Sequence, residues 1–169
     1  SFLNTIYEYR IRVKILKESG LSYANVTIPY YDRNNEEKIL KVDAATYNLD
    51  ASGKMKTTEV NKGSIYSKRI NKFYSEMIIA FPEVKIGSII EYKYKVERRT
   101  DQHLKDWTFQ DKIPVRYSEY QINIPLFYRF SVNPNIVDEI EVKEKVNEDL
   151  IATNEGTLST EILQKNFIM

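Results

Sequence analysis

Apolar and charged residues alternate with a period of two along much of this chain. Tyr7, Tyr9, Ile11, Val13 and Ile15 are interleaved with Glu8, Arg10, Arg12 and Lys14. In an extended segment successive side chains leave on opposite faces, so such a run has one dry face and one wet face. Ile90, Tyr92, Tyr94 and Val96 repeat the pattern against Glu91, Lys93, Lys95 and Glu97. Tyr120, Ile122 and Ile124 do so against Gln121 and Asn123, and Leu126, Tyr128, Phe130 and Val132 continue it beyond a bend or edge at Pro125. A strand that is dry on one side must cover that side with another such element, which antiparallel sheets stacked face to face achieve.

Turn chemistry separates the runs: Ser19-Gly20, Asp32 to Asn35, Asp50 to Gly53, Asn61-Lys62-Gly63 and Asn154-Glu155-Gly156. Between them lie further stretches rich in Val, Ile, Tyr and Phe: Tyr23 to Tyr31, Ile39 to Leu49, Phe73 to Phe81 and Leu158 to Phe167. This spacing predicts an all-β fold, an antiparallel β-sandwich with little helix. The segment Ile136 to Val146 fits two descriptions, a helical stripe through Ile136, Val137 and Ile140 or a strand through Ile140, Val142 and Val146. A chain of 169 residues suits a single sandwich domain over residues 1–169. Its opening residues already alternate like mid-strand, which suggests a fragment excised from a longer, multidomain protein.

The chain holds 25 basic and 24 acidic residues. A nucleic-acid binder shows a basic excess, and a disordered chain shows few aromatics with uncompensated charge; neither description fits. From Ile136 to Gly156 seven acids face two bases, a local charge of −5 that leaves +6 for the remainder. That segment reads as a solvated acidic edge that discourages strand-to-strand association, or as a docking face for a basic neighbour. No stretch reaches the roughly 18 consecutive apolar residues of a membrane helix.

There is no Cys and one His, His103. A disulfide frame, a thiolate metal site and a cysteine nucleophile are therefore excluded. His103 lies in a polar stretch with Asp101 and Asp106, without the spacing of a triad, a metal site or a calcium loop. The five glycines are scattered singly as turn residues, so no phosphate-cradling loop is present. No catalytic residue, metal ligand or cofactor is expected. A carboxylate pair in a concave pocket would be the alternative for an enzyme. The surplus is aromatic. Tyr30-Tyr31, Phe73-Tyr74, Trp107-Thr108-Phe109 and Phe127-Tyr128 would each bring a ring to the outer side of an extended segment, or, for Trp107 and Phe109, both rings to one side. Tyr30, Tyr31, Trp107 and Phe109 are thus candidates for a stacking platform for glycan or peptide, or else core and rim residues.

Two segments resemble a known family when taken together. One is Phe81-Pro82-Glu83-Val84-Lys85-Ile86-Gly87-Ser88-Ile89-Ile90-Glu91-Tyr92-Lys93-Tyr94. The other is Trp107-Thr108-Phe109-Gln110-Asp111-Lys112-Ile113-Pro114-Val115, followed by Ser118-Glu119-Tyr120 and Ile124-Pro125. Their order and separation resemble the bacterial domain of unknown function found N-terminal to transglutaminase-like domains. Arg12 to Gly20 and Ala44 to Leu49 are similar to it as well. The resemblance implies an immunoglobulin-like β-sandwich in an exported bacterial protein, periplasmic or surface-associated. It also implies a downstream papain-like, transglutaminase-like cysteine domain of the same polypeptide as partner. Catalysis would belong to that neighbour, leaving this chain a non-catalytic accessory or scaffold domain.

Overall fold

A computed structural model describes residues 4–99, 104–127, 140–153 and 156–169. Ten strands follow in chain order: β1 (Thr5–Lys14), β2 (Asn25–Tyr31), β3 (Glu37–Leu49), β4 (Met55–Glu59), β5 (Ile65–Arg69), β6 (Tyr74–Ala80), β7 (Ile89–Arg98), β8 (Glu119–Pro125), β9 (Glu141–Thr153) and β10 (Gly156–Ile168). Every strand pairing is antiparallel. The helical elements among the described residues are three short 3₁₀ turns, at Glu18–Ala24, Arg33–Asn35 and Lys62–Ser64. The fold is therefore all-β, and no helix of the described residues is long and apolar enough to cross a membrane. Contacts divide the chain into two compact units, one through Asp101 and one from Gln102 onward.

The first unit is a sandwich of two sheets, ordered β1-β7-β3-β4 and β2-β6-β5. Ile28, Ile79 and Phe81 from one side meet Val60 and Ile90 from the other, with Val13, Val42, Met77, Tyr92 and Tyr94 packed around them. The dry face read from the alternation is the face that packs. Tyr7, Ile90 and Val96 are buried, while Arg10, Arg12 and Lys95 reach water. Tyr9 stacks on Tyr94 with ring centroids 4.6 Å apart, and Tyr94 lies 6.3 Å from Tyr92. Burial, with the neighbouring Tyr9 and Tyr92, pushes the Tyr94 phenol far above its ordinary range.

The turn into β7 is held by a buried polar network. Gly87, at φ +91°, takes the left-handed turn that other residues resist, and its N–H donates to the Ile15 carbonyl. Ser88 is wholly buried. Its Oγ accepts the Lys85 N–H at 2.8 Å and donates to Asn48 Oδ1 at 2.6 Å, while Asn48 Nδ2 donates to the Glu83 carbonyl. Thus the Gly-Ser of the sequence motif joins the turn to β3.

Glu91 follows on the outward face of β7, yet 8% of its side chain reaches solvent. Burial opposes its charge. Hydrogen bonds from Arg12 Nε at 2.6 Å and Arg10 Nη2 at 3.3 Å outweigh that and hold the carboxyl below the usual carboxylate range.

The second unit is a three-stranded sheet, β8-β10-β9. Ile122, Ile124 and Phe167 form its core, with Leu104, Phe109, Tyr120 and Ile140 against them. Residues 141–146 of the ambiguous segment are strand; 136–139 lie outside the described residues, as do Tyr128, Phe130 and Val132. β9 is an edge strand and carries Glu141, Glu144, Glu148 and Asp149. The two short strands β4 and β5 have no counterpart in the alternation. Their residues are almost all wet, so no face is marked by apolar side chains.

Ser88→Ala leaves the Lys85 N–H and Asn48 Oδ1 without this partner in a dry site and should cost about 1–3 kcal/mol, read by urea unfolding. Glu91→Gln should cost about 1–2 kcal/mol at neutral pH, because both guanidiniums can turn to water. A depressed folded-state pKa gives stability that is complete above the unfolded carboxyl range of about 4.3 and fades as pH falls through the lower folded value. The gap between parent and Glu91→Gln should therefore close in acid.

Candidate binding face

The outward side of β2-β6-β5 is where exposed aromatics gather. Ile28, Ser75, Met77 and Ile79 point into the sandwich, so the residues that alternate with them point away. Register places Tyr31 opposite Tyr74, Pro29 opposite Glu76, and Ile78 between Thr27 and Tyr66. Tyr66 is 51% and Tyr74 45% exposed. Tyr31 meets Tyr74 edge to face at 5.3 Å and lies parallel to Phe73 at 6.5 Å.

Local hydrogen bonds set these rings. Asn71 Oδ1 accepts the N–H groups of Phe73 and Tyr74 and shapes the turn between β5 and β6. The Asp32 N–H donates to the Phe73 carbonyl, and its carboxylate accepts from Arg69 Nη2 and Ser75 Oγ, each at 2.8 Å. Arg33 and Lys72 stand over the Phe73 ring at 5.2 and 4.8 Å from its centroid. Such a surface offers flat apolar rings bordered by cations, suited to CH–π, stacking and carboxylate contacts.

The four residues singled out from the sequence part company. Tyr31 belongs to this face. Tyr30, one residue earlier, points to the other side, where its hydroxyl shares a 2.7 Å hydrogen bond with Ser67 Oγ. Trp107 and Phe109 belong to the second unit. Trp107 is half-buried, stacks on Tyr120 at 5.7 Å and donates its Nε1–H to Ser118 Oγ at 3.1 Å. Phe109 packs against the Ile122, Ile124 and Phe167 core. Both serve as anchors of the segment leading into β8. Tyr66 was not marked by the sequence because β5 was not; Tyr74 was, as half of the Phe73-Tyr74 pair. His103 and Asp101 lie outside the described residues. Among the described residues no group of three or more His, Asp and Glu side chains is placed to hold a metal ion.

Residues 4–151 match the family model described as "Domain of Unknown Function with solved-structure structure (DUF3857)". The chain belongs to this family. Within it, the segment from Gly87 to Tyr92 has an evident physical role here: turn, buried hydroxyl hub, core side chain and shielded ion pair. A search of curated proteins gives no match. Among solved structures, the chain is similar to a protein from Parabacteroides distasonis named "putative protease", with a TM-score of 0.62 and 11% identity. The match covers 98% of this chain and 32% of that one, so the chain spans about a third of that protein's length. At this identity the likeness is one of fold.

Trp107→Phe removes the indole N–H from Ser118 and should cost about 1 kcal/mol. Tyr66→Ser, at a half-wet position on a short strand, should change stability by less than ~0.5 kcal/mol. Urea unfolding of the two variants beside the parent checks the contrast.

Proposed function

We propose that this chain is a non-catalytic accessory domain that precedes a papain-like, transglutaminase-like cysteine domain in an exported bacterial protein of the periplasm or cell surface. The observation that carries this reading is the recurrence of its fold, over almost the whole chain, as a part of a longer protein named a protease candidate. The absence of Cys from the sequence supports it, since a cysteine nucleophile must then come from elsewhere. So does the use of the motif residues Ser88, Ile90 and Glu91 in folding contacts. The first unit is read as immunoglobulin-like. Support for this is the strand order: β2-β6-β5 can be lettered B-E-D and β3 against β7 C against F, while β1, which precedes them all in this unit, takes the position of the last strand, G.

A second reading, a glycan- or peptide-binding module, is favoured by the outward rings of Tyr31, Tyr66 and Tyr74. The two readings differ in what removal of the chain does to a neighbouring enzyme.

The test is made on the longer polypeptide encoded by the natural gene. The accessory reading expects a downstream Cys-His pair, no turnover of fluorogenic peptides or amine-transfer substrates by the chain alone, and a changed KM or melting temperature of the cysteine domain when residues 1–169 are removed. Turnover by the chain alone, or a downstream region lacking that pair, would overturn it.

A further inference from the structure

The two faces of the second unit's sheet differ sharply. One carries Tyr120, Ile122, Ile124 and Phe167 and is packed against Leu104, Phe109 and Ile140. The register assigns the other face in rows across β8, β10 and β9. Glu119, Ile168 and Glu141 form the first row; Gln121, Asn166 and Lys143 the second; Asn123, Gln164 and Lys145 the third; and Pro125, Ile162 and Asn147 the fourth, where Ile162 is buried, so the open part of the face is the first three rows. Tyr117, 64% exposed, extends the β8 column beyond Glu119. The centre of this face is a square of four carboxamides, Gln121 beside Asn166 and Asn123 beside Gln164.

This choice of residues needs a reason. Asn is among the residues least suited to strands, and Thr would serve a wet sheet face with better backbone preference. Sites that break a local rule without a folding benefit are where function is sought first. The carboxamides are also oriented. Gln121 Nε2 donates to Asn123 Oδ1 at 3.2 Å and Gln164 Nε2 to Asn166 Oδ1 at 3.1 Å. Asn166 Nδ2 donates to Glu119 Oε1 at 2.6 Å, and the Tyr117 hydroxyl to Glu119 Oε2 at 2.8 Å. Among the described residues, Gln121 Oε1, Gln164 Oε1 and Asn123 Nδ2 remain without a hydrogen-bond partner. The face thus holds acceptors and donors side by side, with a flat ring at one end.

We propose that this carboxamide face is a binding site for an extended, neutral oligosaccharide. A sugar hydroxyl both donates and accepts, as a carboxamide does, so a lattice of both valences matches a row of hydroxyls better than it matches an ion. The Tyr117 ring would take the apolar face of one pyranose. From Tyr117 to Asn123 the β8 column runs about 20 Å at the rise of an antiparallel strand, room for several rings. Gln121, Asn123, Lys143 and Lys145 are exposed along it. The inference takes its ligand class from the binding-module reading but uses a different unit and different residues from the Tyr31, Tyr66 and Tyr74 face.

The experiment is calorimetric titration of the full chain with cellohexaose and with chitohexaose. Binding of at least one is expected. The double variant Asn123→Thr/Gln164→Thr should weaken it by about tenfold or more, since two hydrogen-bonding groups are lost. The same variant should melt no lower than the parent, because Thr suits the strand. Leu16→Ser, at an exposed position of the first unit outside both faces, should bind as the parent does. The proposal is overturned if neither sugar binds at millimolar concentration, or if the double variant binds as well as the parent. It is also overturned if binding is lost in Tyr74→Ser instead, which would move the site to the aromatic face. A double variant that changes the oligomeric state by light scattering and leaves sugar binding intact would show the face to be a contact between copies.

Discussion

The Ser88 hydroxyl, sealed from water, sets the register on which the first unit depends. It links the turn after β6 to Asn48 on β3, and the next residues enter β7, the strand that pairs with both β1 and β3. Side chains alternate, so a slip of one residue in β7 would put Ile90, Tyr92 and Tyr94 in water and Glu91, Lys93 and Lys95 in the core. Polar groups inside a dry site have few acceptable arrangements. Ser88 and Asn48 satisfy each other in this register. The hydrophobic face supplies the driving force, and the hydroxyl network supplies the choice among near-equivalent pairings.

Glu91 shows the same division of labour on the wet side. Arg10 and Arg12 leave β1 on one face, two residues apart, and both reach the carboxylate from across the strand pair. Arg10 is directly opposite Lys93, a like-charge pairing that would loosen the strands. The carboxylate one row away offsets that repulsion. Residues that look like a functional motif in the sequence therefore have folding tasks. In this chain Ser88, Ile90 and Glu91 are engaged in the turn, the core and the ion pair.

How legible this was in the sequence follows from burial. β1, β7 and β8 were plain because one face of each is apolar and covered. Met55-Lys-Thr-Thr-Glu and Ile65-Tyr-Ser-Lys-Arg gave no sign, since neighbouring strands hold β4 and β5 through the backbone. With β5 hidden, Tyr66 could not be placed beside Ile78. Tyr30 and Tyr31 were correctly read as facing opposite ways, but which one faced water depended on the partner sheet. Trp107 reads as a platform ring or as a rim residue; it is half-buried, stacked on Tyr120 and bonded through its N–H to Ser118. Gln121 and Asn123 were visible as the polar half of β8. Their partners Asn166 and Gln164 come from a strand some forty residues away, and only the β8–β10 register reveals the square.

The pairing of β1 with β7 also has a consequence in time. Thr5 lies against Arg98 and Lys14 against Ile89, with β7 set between β1 and β3. During synthesis the first strand leaves the ribosome long before its neighbour exists, and waits with a tyrosine-lined side uncovered. Assembly of this sheet is thus a late event, governed by closing a long loop, whereas the β9–β10 hairpin can zip locally. A nascent chain halted between Leu49 and the Gly87 turn would hold β1 and β3 with nothing between them, their apolar sides open to wrong partners.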